Sequence, residues 1–214
     1  MMDAIAIVVT LAVLCTLVVI PVVWKARRRV RATTINNPRM ALFNCAGAIA
    51  ESLIAADEGA FRLSFSSIAR SSSTVPTCEV LFVYCSIGPD GSIGASSLRL
   101  REVIRASGAA LVVLAMPNSA DRYRIALDAP APASGVLPSG AANIVLTLDR
   151  RGDSFGRFFA ALFERMRQGI AMPTAWAHLS PQYQKAPEHE DLPSTVFLCE
   201  LGGLRFAWSR EAGR

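Results

Sequence analysis

Histidine is almost absent from this 214-residue chain, where His178 and His189 are the only two. A cysteine nucleophile needs a histidine to form its thiolate, so only these two could serve one. The five cysteines, Cys15, Cys45, Cys78, Cys85 and Cys199, include no C-x-x-C pair and are odd in number. Neither a zinc knuckle nor a disulfide framework is therefore indicated, and a reducing compartment fits best. Lysine is scarcer still beside arginine, 2 against 20, and no lysine stands where a P-loop requires one. The dinucleotide fingerprint and internal repeats are missing as well.

Acidic residues are lacking at the start of the chain. Asp3 is the only acid before residue 40, whereas Lys25, Arg27, Arg28, Arg29, Arg31 and Arg39 are all basic. The remainder carries 16 bases against 16 acids, so the pI near 9.3 reflects a local cluster rather than a basic domain face. That distribution argues against nucleic acid as a partner.

What the N-terminus has in excess is apolar sequence. Residues 4–23, AIAIVVTLAVLCTLVVIPVV, carry no charge, and at about 1.5 Å per residue such a helix spans roughly 30 Å, the thickness of the hydrocarbon core. Thirteen of the twenty are Leu, Ile or Val, which favours insertion by about 4 to 8 kcal/mol. The start MMD and the bulky VVWKARRR that follows do not suit a cleaved secretory signal. We therefore expect an uncleaved anchor over 1–24 and a basic tether over 25–37. The bases follow the span, so the positive-inside rule places the N-terminus outside and the domain, 38–214, in the cytoplasm at the inner membrane. Lys25, Arg27, Arg28, Arg29 and Arg31 could also hold anionic lipid headgroups, at about 1 kcal/mol per base.

For the domain, the sequence predicts a three-layer α/β fold with a mixed, mainly parallel sheet. Asn36-Asn37-Pro38 reads as a cap and N1 proline, opening a helix that places Leu42, Ile49, Leu53 and Ile54 near one face. FRLSFSSI (61–68) alternates like a half-buried strand. The runs 80–85, 111–116 and 144–148 are continuously apolar and β-branched, as strands covered on both faces are. Helices are expected over about 97–107, over the phenylalanine series from Phe155 to Met166 with Gly169 at its end, and from Met172 to Leu179. Residues 129–142 read as a loop. STVFLCEL and LRFAW, joined through Gly202-Gly203, are expected to form a C-terminal antiparallel hairpin.

Three sites could carry chemistry. The turn after the first central strand offers Gly88, Asp90, Gly91, Ser96 and Ser97 at the carboxyl edge of the sheet, where backbone N–H groups can receive an anion. Its spacing is G-x-x-G-x-x-G, and a Pro-Asp-Gly turn followed by a serine cap accounts for it equally. Arg150 and Arg151 end the third central strand at the same edge and could bind phosphate or carboxylate. Cys85 closes the first central strand and could act as a nucleophile with His178. Glu188, His189, Glu190 and Asp191 are sequence neighbours that do not converge on one ion, so neither metal nor cofactor is expected.

A strand ending in Cys85, a glycine-containing turn, a helix, the strand LVVLAM, and a phenylalanine-rich helix leading to QGIAMPTAWAHL together resemble the second half of caspase-like CHAT domains. The likeness covers residues 80–180. It implies a catalytic cysteine at Cys85, but the family's histidine belongs to an H-G-type motif upstream, and here no histidine precedes residue 178. The resemblance therefore implies a degenerate, non-proteolytic member. From sequence, the expectation is a membrane-anchored module that binds a protein partner or small ligand. A cysteine hydrolase and a nucleotide or anion sensor are the alternatives.

Overall fold

Continuous apolar runs need cover on both faces, and a six-stranded sheet between two helical layers supplies it. The structure, a computed structural model, describes residues 32–94, 98–128, 140–150, 153–185, 195–200 and 202–208. The expected membrane helix and the bases from Lys25 to Arg31 lie outside the described residues. Among the described residues no helix is long and apolar enough to cross a membrane.

The elements are β1 (Ala32–Asn36), β2 (Met40–Asn44), a 3-10 turn (Gly47–Ala50), α1 (Glu51–Phe61), β3 (Ile68–Ser71), β4 (Val80–Tyr84), α2 (Leu100–Ser107), β5 (Leu111–Leu114), α3 (Ala120–Asp128), β6 (Asn143–Thr147), α4 (Ser154–Arg167), α5 (Met172–Lys185), β7 (Thr195–Cys199) and β8 (Gly203–Ala207). The main sheet has the order β3-β2-β4-β5-β6-β7, with all neighbours parallel except β6 and β7. The mixed, mainly parallel sheet with an antiparallel C-terminal end is the one the sequence predicts. Gly202, at φ 101°, joins the last two strands. Their hydrogen-bond partners differ: β7 pairs with β6, whereas β8 pairs in parallel with β1 in a separate two-stranded sheet. The folded unit consequently begins at Ala32, inside the expected tether.

The helix expected after Pro38 is a strand for its first part. Met40–Asn44 is buried at every position, and the gain from covering both faces outweighs the helical preference of Met, Ala and Leu. Helix begins only at Glu51. The alternation at Phe61, Leu63 and Phe65 is likewise not a strand. Phe61 ends α1 and is buried, Leu63 is 90 % exposed, and the edge strand starts at Ile68.

Right-handed crossovers dictate the layers. The step from β2 to β3 and the steps from β4 through β5 to β6 move in opposite directions along the sheet, so their helices fall on opposite faces. α1 packs with Val80, Phe82 and Tyr84. Residues of α2 and α3 pack with Leu81, Val83 and Cys85 on the other face. α4, α5 and β8 complete the first layer.

Phe82 sits centrally in that layer, its ring centroid 4.9 Å from Phe61 and 5.3 Å from Phe159. Phe82→Ala should therefore lower unfolding free energy by about 3–5 kcal/mol, whereas Leu63→Ala should stay within about 0.5 kcal/mol. Urea denaturation of the two variants checks this, and equal effects would contradict the assigned core.

Candidate functional site

In an open α/β sheet, the place where successive crossovers leave in opposite directions is a crevice beyond the carboxyl ends of the strands. Here that place lies between β2 and β4. A cleft of about 680 Å³ occupies it, within the usual size for a small-molecule site. Asn44 and Cys45 contribute from the end of β2, Ser86 from the end of β4, Ser72 and Ser73 from the segment after β3, and Met116 from the segment after β5. Ile49, 78 % exposed, and Leu98 add apolar surface.

Local chemistry holds this floor open. The Asn44 amide donates to the Gly47 carbonyl at 3.0 Å and to Glu51 at 2.7 Å, while its oxygen accepts the Ala46 N–H at 3.0 Å. Such a side-chain turn delays the start of α1 and bends the chain away from the sheet. Gly94 closes the opposite wall. Its N–H donates to the Ser86 carbonyl at 2.8 Å, its φ is 61°, and a Cβ there would lie 2.3 Å from the Cys45 carbonyl oxygen.

Among the described residues, none that lines the cleft carries a carboxylate, imidazole, ammonium or guanidinium group. Cys45 is the one titratable group among them, and burial pushes its thiol up to about 11. The lining can accept and donate hydrogen bonds and cover apolar surface. It does not supply a base, a counter-ion or, among the described residues, a cluster able to hold a metal.

The residues singled out from sequence are placed elsewhere. Gly88, Asp90 and Gly91 form a closed turn. Gly88 N–H donates to Ser92 O at 2.8 Å, Gly91 N–H to Gly88 O at 3.1 Å, and Ser92 N–H and hydroxyl donate to the Asp90 carboxylate at 3.1 and 2.6 Å. Ile93 N–H is spent on Leu98 O. The N–H groups of Gly88, Gly91, Ser92, Ile93 and Gly94 are thus used within the protein, which makes this segment a hydrogen-bonded structural turn. Ser96 and Ser97 lie outside the described residues.

Arg150 does not face an anionic ligand either. Its side chain is 4 % exposed and ion-pairs with Asp57, itself 1 % exposed. Its Nη1 donates to the Ala115 carbonyl at 2.9 Å, and the guanidinium lies 4.0 Å from the centre of the Phe155 ring. The Tyr84 hydroxyl donates to the other Asp57 oxygen at 2.7 Å. Burial pushes the Asp57 carboxyl up, with Arg150 and Tyr84 opposing it. Arg151 lies outside the described residues, as does His189.

Cys85 and His178 are not brought together. Cys85 is 0 % exposed on the α2/α3 face, and burial pushes its thiol far up. His178 is exposed on α5, whose Met172, Ala175 and Leu179 pack on the opposite face. The expected thiolate–imidazole pair is thus separated by the sheet itself.

Sequence reasoning missed Asn118, which joins three strand ends. Its amide donates to Cys85 O at 3.1 Å, its oxygen accepts Ile87 N–H at 2.8 Å, and its own N–H reaches Thr147 O at 3.1 Å. An Asn directly after the Met116-Pro117 step was the available signal. Cys45 was also missed, because its strand read as a helix.

Two expectations follow. Arg150→Ala leaves Asp57 buried without its cation and should destabilise the fold by about 3–5 kcal/mol by denaturant titration; a loss under about 1 kcal/mol would show that the pair is not desolvated. Iodoacetamide should modify Cys45 more slowly than exposed Cys199 at pH 8, with the Cys45 rate rising through about pH 11, where its thiolate forms. Peptide mass spectrometry reads both rates, and equal rates at pH 8 would contradict the burial of Cys45. No protein-family model matches the chain, and no curated protein is significantly similar to it in sequence.

Proposed function

We propose that this chain is a membrane-anchored cytoplasmic α/β module that holds a small uncharged ligand, partly apolar and partly hydrogen-bonding, in the switch-point cleft. One observation carries the reading. The cleft at the place where such sheets bind ligands is lined, among the described residues, by serine, asparagine, cysteine and apolar side chains, with no fixed charge. A charged ligand would lose its hydration there without gaining a partner.

The anchor rests on the apolar run over residues 4–23, and the orientation on the bases from Lys25 to Arg31, which also favour an anionic lipid surface. The burial of Cys85, and the position of His178 on the helix across the sheet from it, weigh against a cysteine hydrolase. The resemblance to caspase-like CHAT domains belongs to the same proposal, as a member that keeps the strand, turn and helix order without a hydrolytic pair.

The full chain in lipid nanodiscs should bind uncharged fragments from a ligand-observed NMR screen. Ser86→Phe, which fills the cleft from its exposed side, should abolish that binding with less than about a 2 °C change in Tm. Fragments that bind equally to both proteins would show the cleft is not the site, and digestion of the C-terminus by protease added outside intact cells would overturn the orientation.

A further inference from the structure

The switch point places two cysteines side by side that are far apart in the chain. β2 and β4 run parallel with Asn44 opposite Tyr84. The Cys45 N–H donates to the Tyr84 carbonyl at 2.8 Å, which carries the ladder one residue further and sets Cys45 opposite Cys85. Side chains alternate along a strand, so Phe43 and Val83 share a face with the two thiols. Cys85 is a buried member of that face's cluster, and Cys45 packs against it. Neighbouring strands are about 4.8 Å apart, inside the roughly 4.4–6.8 Å between Cα atoms that a disulfide requires, and side chains at that spacing need to close by only a few tenths of an ångström to bring their Cβ atoms within about 4.5 Å.

Access is asymmetric. Cys45 is half-buried and lines the cleft, whereas Cys85 is 0 % exposed beside it. The two thiols also interact: a charge on Cys45 adds to the burial that raises Cys85. We propose that Cys45 and Cys85 are a reversible dithiol–disulfide pair in the floor of the cleft, oxidised by a small hydroperoxide that enters through it.

The Cys45 thiolate attacks the terminal peroxide oxygen and the O–O bond breaks, leaving a sulfenic acid on Cys45 and releasing an alcohol, or water from hydrogen peroxide. The Cys85 sulfur then attacks the Cys45 sulfur. The S–S bond forms, the S–O bond breaks, and the hydroxyl leaves as water with the Cys85 proton. Two electrons pass from the two sulfurs to the peroxide. A small thiol reverses the change by thiol–disulfide exchange. Because burial holds the Cys45 thiol near 11, little thiolate exists at neutral pH, and the first step is slow, rising about tenfold per pH unit below that value. Oxidation would also replace a hydrogen-bonding thiol at the cleft by an apolar bridge; that consequence for ligand binding rests on the function proposed above, and the bond itself does not.

The full chain in detergent, treated for hours with hydrogen peroxide at pH 8, alkylated and cut with trypsin and a glutamyl endopeptidase, provides the test. Cleavage after Glu79 separates Cys78 from Cys85. The expected product is a peptide containing Cys45 joined to one containing Cys85, two mass units below the sum of the reduced pair. It should be released by dithiothreitol and absent from Cys45→Ser. Recovery of Cys45 as sulfinic acid with Cys85 still a free thiol, or joined to Cys78 or Cys199 instead, would overturn the pairing. Since the readout is a covalent mass, a linked pair in a protein that binds no fragment would refute the ligand reading alone, and fragment binding without the link would refute the pair alone.

Discussion

The ion pair between Asp57 and Arg150 is the constraint around which the first helical layer is arranged. Removing both charges from water costs several kcal/mol per ion, and attraction alone does not recover this unless the remaining donors and acceptors are met. The structure meets most of them. Tyr84 donates to the carboxylate, Ala115 accepts from the guanidinium, and the Phe155 ring lies against its flat face. Four segments are thereby tied together: α1, the ends of β4 and β5, and the turn from β6 into α4. Gly156 belongs to the same device, since a Cβ there would stand 3.1 Å from Ala60 and 3.5 Å from Asp57, so its absence lets α4 approach α1 over the buried carboxylate.

This arrangement determines what is left for a ligand. With Arg150 turned inward, most N–H groups of the turn after β4 hydrogen-bonded, and Asn118 bridging three strand ends, many polar groups at the carboxyl edge already have partners. What stays open is the gap where β2 and β4 diverge. No charged side chain is among the described residues that line it. A site of this kind selects by shape and hydrogen bonding, and the Cys45 sulfur in its lining is held as a thiol by desolvation.

The parts legible from sequence are those in which a local pattern coincides with burial. The runs at 80–85, 111–116 and 144–148 are buried on both faces up to their last residues, Met116 and Leu148 being half-buried, and no other element hides such a run as well as a central parallel strand. The phenylalanine series repeats at helical spacing, and α4 is where it falls. The misreadings share one cause. Met, Ala and Leu in β2 carry helical preference and a proline cap, and only the presence of β4 alongside turns that run into a strand. α3 has little apolar periodicity, being held by the buried Tyr123, whose hydroxyl donates to Thr147 O at 2.8 Å. Such a tie between residues far apart in the chain leaves no local trace.

By itself, the sequence determined the three-layer class, the mainly parallel sheet and the position of most helices, because hydrophobic periodicity is a property of neighbours along the chain. Its low histidine content and the lack of any C-x-x-C pair likewise limited the chemistry. The site was decided only by tertiary structure. Whether Arg150 meets a ligand or Asp57, whether a glycine turn offers its N–H groups or consumes them, and whether Cys85 faces a histidine or another cysteine all depend on strand order. That order brings Cys45 beside Cys85 and puts the sheet between Cys85 and His178, since burial and pairing in three dimensions follow which strands are neighbours, not which residues are.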